Sequence, residues 1–497
     1  MLLLISEHRD TIQQKIAGLH NSSHPLLRLP PEVLSDIIER VASISDGKLR
    51  SSLSPHEQCR LPLSRSFLSF NLSCRLIREI SIGSPRCWTD ITLIIADVDS
   101  TSPSFVQDAL ERSKHCPFNL TVYFEASQAT QVMIKELLSP LNPHIHRCRR
   151  IAVWSGTTKV QVSQVTQTIR DLNWHYPALR SVKLADLSQS STGTQRIQLV
   201  PFWKNTDEQI ESFDLEFAEE WQIFDPAVSV GCLMLPLRTL KQLKIREGFN
   251  LFFVDEILRQ CPALTHFEWS SDDDSGPVDG EPLPLPCIKT LRFNGCGLAG
   301  QLPTIIAPEC TQLCLHDASP LSNEWFLFPP TEMTSMREFP SLRRCSLLCI
   351  DRFTSNLHRF LSFHSSIDDI LIRGPEYSNG SKPVKCCEIF DSLAFVSSKP
   401  PAATSNVASP LLPKLRVFWY IVSMDFWEDE GVVALASAVW RLLLRRPTLR
   451  MNLIVVPSEI NGVPRELDDL RAKFNTQLFI LDSEARPAWA PDHNYMA

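Results

Sequence analysis

The sequence predicts an α/β chain: a small helical unit near the N-terminus, followed by a long and irregular array of strand and helix repeats. Three observations predict it. An amphipathic helical stretch covers 31–41. An apolar triplet with the spacing Φ-x-x-Φ-x-Φ (Φ apolar) recurs from residue 148 onward. Helical segments stand ahead of several of those triplets. A length of 497 residues suggests about three ordinary domains, but a repeat array escapes the usual size limit. One small module and one long array fit better.

The helical unit comes first. Residues 6–19 place Ile12, Ile16 and Leu19 on one side of a short helix, within an N-terminal helical segment 1–25. Then Leu29-Pro30-Pro31-Glu32 opens a second helix. Proline in a first turn loses no hydrogen bond, and Glu32 sits where the macrodipole favours an acid. Val33, Leu34, Ile37, Ile38 and Val41 form one apolar face, with Asp36, Glu39 and Arg40 on the other side. A further helix is predicted over 67–80, closing near Gly83. Pro85-Arg86-Cys87-Trp88 then leads into the β-branched run Ile91–Ile95.

The order Leu29-Pro30-Pro31-Glu32-Val33-Leu34-x-x-Ile37-Ile38, then Ser73-Cys74-Arg75, then Pro85-x-x-Trp88-x-x-Ile91, resembles an F-box over residues 26–92. The resemblance implies that Leu29, Pro30, Val33, Leu34 and Ile37 dock on the Skp-type adaptor of a cullin–RING ubiquitin ligase. Such docking is helix-in-groove burial of apolar anchors and needs no catalytic group. Residues 44–64, dominated by Ser, Pro and Arg, form an insert. Ile77 stands where an aromatic residue is frequent. Read from the residues alone, the same stretch is a helical cap on a larger core.

The repeat carries its own signature, Pro-x-Φ-[K/R/T]-x-Φ-x-Φ. It occurs six times, starting at Pro177, Pro262, Pro286, Pro308, Pro340 and Pro413, where composition alone would supply fewer than one. Looser copies run Cys148/Ile151/Val153, Ile210/Phe213/Leu215, Leu240/Leu243/Ile245 and Ile367/Ile370/Ile372, and a degraded one starts at Pro447. The last two apolar residues of each copy share one face of a short strand, and the prolines are expected to set an extended entry to it. Helices are predicted over 252–260, 355–363 and 431–446. Most intervals between successive first positions lie in or near the period of leucine-rich repeats, roughly 20–29 residues. The longest gap contains 397–410, which reads as a disordered loop.

Taken together, residues 93–497 resemble a divergent leucine-rich-repeat domain, as in the F-box-like proteins of mushroom-forming fungi. The resemblance implies a curved solenoid with a parallel sheet inside. An α/β domain of another topology fits the same triplets.

Composition narrows the function. Lys+Arg 49 against Asp+Glu 56 gives a net charge of −7, without the basic excess usual in nucleic-acid-binding proteins, so no nucleic-acid partner is expected. With 36 prolines against 16 glycines, few loops can approach a phosphate closely. Fifteen cysteines without a C-x-x-C pair read as small buried hydrophobes in a reducing compartment. Leu2–Ile5 is too short for a signal-peptide core, and the apolar stretch Gly431–Trp440 is half a membrane span. The expected location is cytoplasmic or nuclear, with no membrane contact.

Motifs that would carry chemistry are incomplete. Gly295-x-Gly297-x-x-Gly300 follows a strand but lacks the helix that a dinucleotide fingerprint requires, because Pro303 and Pro308 intervene. His144-x-His146-x-Cys148, read as alternating strand residues, has no second cluster to complete a metal site. Asp272–Asp274 and Glu428–Glu430 read as a solvated loop and a helix start. No nucleophile, base, metal or cofactor site is expected. The expected function is a non-catalytic substrate receptor. Exposed strand positions would face the target protein: Lys183, Lys244, His266, Glu268, Arg292 and Trp419, the last as an exposed aromatic anchor. A repeat scaffold with no ligase link is the alternative.

Overall fold

The computed structural model describes residues 25–43, 75–96, 103–124, 131–155, 162–186, 210–217, 237–246, 251–270, 282–295, 305–316, 339–348, 360–373, 388–394, 411–423, 429–456 and 465–481. The expected helix 6–19, the insert 44–64, residues 67–74 and 355–359, Asp272–Asp274, Gly297, Gly300, Glu428 and the loop 397–410 lie outside them. Two compact units divide the chain, Met1–Pro236 and Leu237–Ala497. The boundary expected near residue 92 falls inside the first of these units.

In the first unit, α1 (Pro31–Ser43) begins at its predicted proline, and α2 (Arg75–Gly83) follows. Leu34 and Ile38 of α1 and Ile77 of α2 are buried. A short turn, Pro85–Trp88, is tied to both helices. Ser84 Oγ donates to Glu39 at 2.5 Å and Trp88 Nε1 to the Ser81 carbonyl at 2.8 Å. The Arg86 guanidinium lies 3.5 Å from the other Glu39 oxygen. Alternation of apolar residues then makes β1 (Asp90–Ile95), β2 (Phe118–Phe124), β3 (Cys148–Ser155), β4 (Ser181–Asp186) and β5 (Ser212–Phe217). Between them lie α3 (Pro103–Arg112), α4 (Gln131–Leu138) and α5 (Val162–Asp171). All four pairings, β1 to β5 in chain order, are parallel.

The second unit repeats the scheme. It contains β6 (Gln242–Arg246), α6 (Leu251–Arg259), β7 (His266–Ser270), β8 (Leu283–Pro284), β9 (Thr290–Asn294), β10 (Ile305–Ile306) and β11 (Gln312–His316). After these come β12 (Arg344–Leu348), β13 (Asp369–Arg373), α7 (Glu388–Ala394), β14 (Val417–Ser423), α8 (Asp429–Arg445), β15 (Arg450–Val456), α9 (Arg465–Lys473) and β16 (Leu478–Leu481). The sheet order is β6-β7-β9-β11-β12-β13-β14-β15-β16, all parallel, with β8 and β10 forming a separate two-residue ladder.

Register turns the repeat into a core. Leu243, Phe267, Leu291, Leu313, Cys345, Ile370, Phe418, Met451 and Leu478 stand side by side in successive strands. In the first unit Ile91, Leu120, Ile151, Val182 and Phe213 do the same. The helices cover this face. Phe390 of α7 sets its ring 5.6 Å from Phe418 and 4.8 Å from Tyr420. Burying one such side chain contributes roughly 1.5–3 kcal/mol, and the row explains why the triplet recurs.

The prolines do something other than the extended entry expected of them. Leu179, Leu264, Ile288, Cys310, Leu342, Leu415 and Leu449 each donate their backbone N–H to the carbonyl three residues earlier, at 3.0 to 3.3 Å. Pro177, Pro262, Pro286, Pro308, Pro340, Pro413 and Pro447 therefore occupy the second position of a β-turn, where the φ locked by the ring already fits. His364-Ser365-Ser366-Ile367 makes the same turn without proline. The next residue in each copy donates to its counterpart on the preceding strand, as Lys289 N does to Thr265 O at 2.8 Å.

Candidate interaction surfaces

The helical segment is the first candidate. Of the five residues expected to meet an adaptor, Pro30 and Val33 are exposed, Leu29 and Ile37 are half-buried, and Leu34 is fully buried. Leu34 is thus a core residue of the α1–α2 pair, not a surface anchor. Amphipathic spacing marks an apolar face without telling which of two adjacent residues, Val33 or Leu34, the neighbouring helix covers. Large apolar residues also face outward, Leu76 and Ile82 on α2 and Val33 on α1, at 40%, 42% and 42% exposure. Trp88, buried beneath, carries the Arg112 guanidinium 4.5 Å from its ring.

The second candidate is the sheet face opposite the helices. In the first unit it runs from apolar to charged. Ile94, Ala96 and Tyr123 cluster with Trp154. The Lys183 ammonium lies 4.1 Å from the Trp154 ring centre, 2.6 Å from Glu216 and 3.4 Å from Asp214. In the second unit Glu268 is surrounded by cations, with Lys244 at 3.3 Å, Arg246 at 3.5 Å and Arg292 at 3.6 Å. Register explains the convergence, since Lys244, Glu268 and Arg292 are direct neighbours on β6, β7 and β9.

These positions correct the expectation of solvated, target-facing residues. Lys183 and Glu268 are only 7% and 6% exposed. Opposite charges about 4.8 Å apart on adjacent strands satisfy one another and close the space between them. Arg292 and Lys244 are half-buried in the same network. His266 is exposed, with its Nδ1 2.8 Å from Thr265 Oγ1. Partial burial, then the nearby Arg292, Lys289 and Lys244 cations, lower its pKa below the usual 6.5. Trp419 is not an exposed anchor either. It is half-buried against the cluster of Leu371, Ile421 and Ile454.

Several neighbours on this face were not singled out from the sequence. Arg246, Asp214 and Glu216 complete the ion pairs, and Asn294 donates to Ser270 Oγ at 2.9 Å. Asn452, adjacent in register to Trp419 and Phe479, is fully buried, and its amide makes no hydrogen bond. Alternation within each strand was the available signal for these residues. Their pairing needed the inter-strand register.

The weighed chemical motifs do not assemble. Gly295 ends β9 with φ 116° and donates its N–H to the His316 carbonyl at 2.6 Å. That is a turn out of the strand. Residues 145–147 form a tight turn, not the strand expected there, so His144 and His146 flank the turn's isoleucine, and Cys148 starts β3. Burial pushes the Cys148 thiol up to about 12. Among the described residues no group of three or more His, Cys, Asp or Glu could hold a metal ion, and no helix is long and apolar enough to cross a membrane. No protein-family model matches the chain, and no curated protein matches it.

Proposed function

We propose that the chain is a non-catalytic substrate-recognition subunit of a cullin–RING ubiquitin ligase. In this reading α1, α2 and the Pro85–Trp88 turn form an F-box that docks on a Skp-type adaptor. The strand repeats form a leucine-rich-repeat-like solenoid that holds a target protein. One observation carries the reading: a small helical unit, stitched by Ser84–Glu39 and Trp88–Ser81, leaves Val33, Leu76 and Ile82 outward. Apolar side chains left outward on packed helices are what a helix-in-groove partner buries. The strands add support, because the parallel pairings from β3 to β5 and from β6 to β15 join neighbouring copies of the array.

Co-purification with the adaptor tests it. Wild type is compared with Val33→Asp, which alters an exposed side chain and leaves the Leu34 core intact. Retention by wild type and loss with a folded Val33→Asp is the expected result. A folded wild type that retains no adaptor overturns the ligase reading and leaves a repeat scaffold in its place.

A further inference from the structure

The repeat signature contains one position that the receptor reading does not use, the Lys, Arg or Thr after the first apolar residue. In the second unit these residues are joined strand to strand by their backbones. Thr265 N donates to Lys241 O, Lys289 N to Thr265 O, Thr311 N to Lys289 O and Arg343 N to Thr311 O. Asp368 N then donates to Arg343 O, Arg416 N to Asp368 O and Arg450 N to Arg416 O, all at 2.8 to 3.0 Å. They form a continuous line along the N-terminal ends of the strands.

Charge along this line alternates. Lys241, Lys289, Arg343 and Arg416 occupy every second strand. Thr265, Thr311 and Asp368 fill the strands between, and Arg450 extends the line beyond Arg416. The threonines turn inward to the backbone, Thr265 Oγ1 donating to the Lys241 carbonyl at 2.9 Å and Thr311 Oγ1 to the Lys289 carbonyl at 3.3 Å. The basic residues are exposed, and among the described residues Lys289, Arg343 and Arg416 make no ion pair. Arg344 and Lys414, also exposed, add to the same edge. Asp368, Asp369 and Glu309 are the acids there. A chain of net charge −7 thus keeps a basic edge.

Spacing selects the occupant. Every second strand means about 9.6 Å between charges. A polyproline II segment rises about 3.1 Å per residue, so its every third side chain recurs at about 9.3 Å on one side. Nucleic acid carries a phosphate at every nucleotide, far denser than this line. We propose that the edge formed by Lys289, Arg343 and Arg416 docks an extended acidic segment of a partner protein, with an acid at every third residue. The site does not depend on adaptor binding.

Fluorescence anisotropy of the full chain with a labelled peptide repeating Glu-Pro-Pro tests the idea at low salt, where exposed charges act strongly. A peptide of the same composition with its glutamates in one block, and a single-stranded oligonucleotide of equal charge, serve as competitors. The spaced peptide should bind about tenfold tighter than the block peptide, a difference of about 1.4 kcal/mol. The triple variant Lys289→Ser, Arg343→Ser, Arg416→Ser should lose that preference while melting at the wild-type temperature. The charge-reversed variant, with Glu at the same three positions, should instead prefer a Lys-Pro-Pro repeat. Equal affinity for spaced and block peptides, unchanged binding by the triple variant, no preference of the reversed variant for the basic repeat, or displacement of the peptide by the oligonucleotide would each overturn the proposal.

Discussion

The indole Nε1 of Trp88 donates a 2.8 Å hydrogen bond to the carbonyl oxygen of Ser81, in the last turn of α2. It answers one of the carbonyls that a helix end leaves without an intrahelical partner, and it fixes the turn that leads into β1. Trp88→Phe keeps an aromatic ring but removes the donor together with the rest of the pyrrole ring. Leaving a buried carbonyl unpaired costs about 1–3 kcal/mol. We expect a loss of that size, read as faster amide hydrogen exchange across 75–96, with little change in the second unit.

Glu268 should matter more than the cations around it. It is buried, and Lys244, Arg246 and Arg292 converge on it. Glu268→Gln leaves their charges without a counter-charge, and breaking a buried pair from one side costs about 3–5 kcal/mol. Lys244 is 40% exposed at its side chain, so Lys244→Ala should cost no more than about 1 kcal/mol. Denaturant midpoints of the two variants check the order, and equal losses would contradict it.

His364 makes the second unit sensitive to acid. Its ring lies 4.5 Å from Phe360 and 6.1 Å from Phe339, and burial lowers its pKa to about 4. The folded state keeps the ring neutral, while the unfolded chain takes up a proton near pH 6.5. The unfolded state therefore binds more protons between pH 6.5 and 4, and stability falls as pH drops through that window. The contribution is on the order of 3 kcal/mol at one pKa unit per 1.36 kcal/mol. His364→Leu should flatten that part of the stability profile in urea titrations at successive pH values.

The thiols should divide by burial. Desolvation pushes Cys87 and Cys314 up to about 11 and Cys148, Cys261 and Cys310 up to about 12, and it raises Cys345 well above the ordinary thiol range. Thiolates are the reactive species. Among the described cysteines, iodoacetamide at neutral pH should label exposed Cys287 first and half-buried Cys116 more slowly. The other six should react only after denaturation, as peptide mass spectrometry would show.

What the sequence makes legible follows from local geometry. Leu179, Leu264, Ile288, Cys310, Leu342 and Ile367 are all buried, because a turn with the apolar residue at its end points that side chain under the strand that follows. The helices at 251–259 and 429–445 appear close to their expected bounds. β2 and β16 escaped the repeat because no Pro-x-Φ turn opens them, and β1 because its Pro85-Arg86-Cys87 turn stands one residue farther from the strand than in the other copies, although their alternation is plain. Non-local facts stayed hidden. Which of Val33 and Leu34 is covered depends on α2, which lies beyond the whole insert in the sequence. That Lys183, Glu268 and Arg292 neutralise strand neighbours depends on register between segments that belong to different copies of the repeat. A strand read alone shows charge on its second face and nothing of what answers it.

The turn that opens each strand has a consequence for how the chain can change over time. Strands β4, β7, β9 and β11 to β15 are each addressed by a tight turn and by a backbone bond to the strand before, whereas the connecting segments vary from copy to copy. Length can therefore be gained or lost between turns without displacing the rows of buried side chains. Whole copies can be duplicated or deleted as cassettes. A cassette that ends on lysine or arginine shifts the parity of charge along the strand-end line, while one that ends on threonine keeps its neighbours' carbonyls answered. The lineage of such a chain would be written in that alternation rather than in its loops.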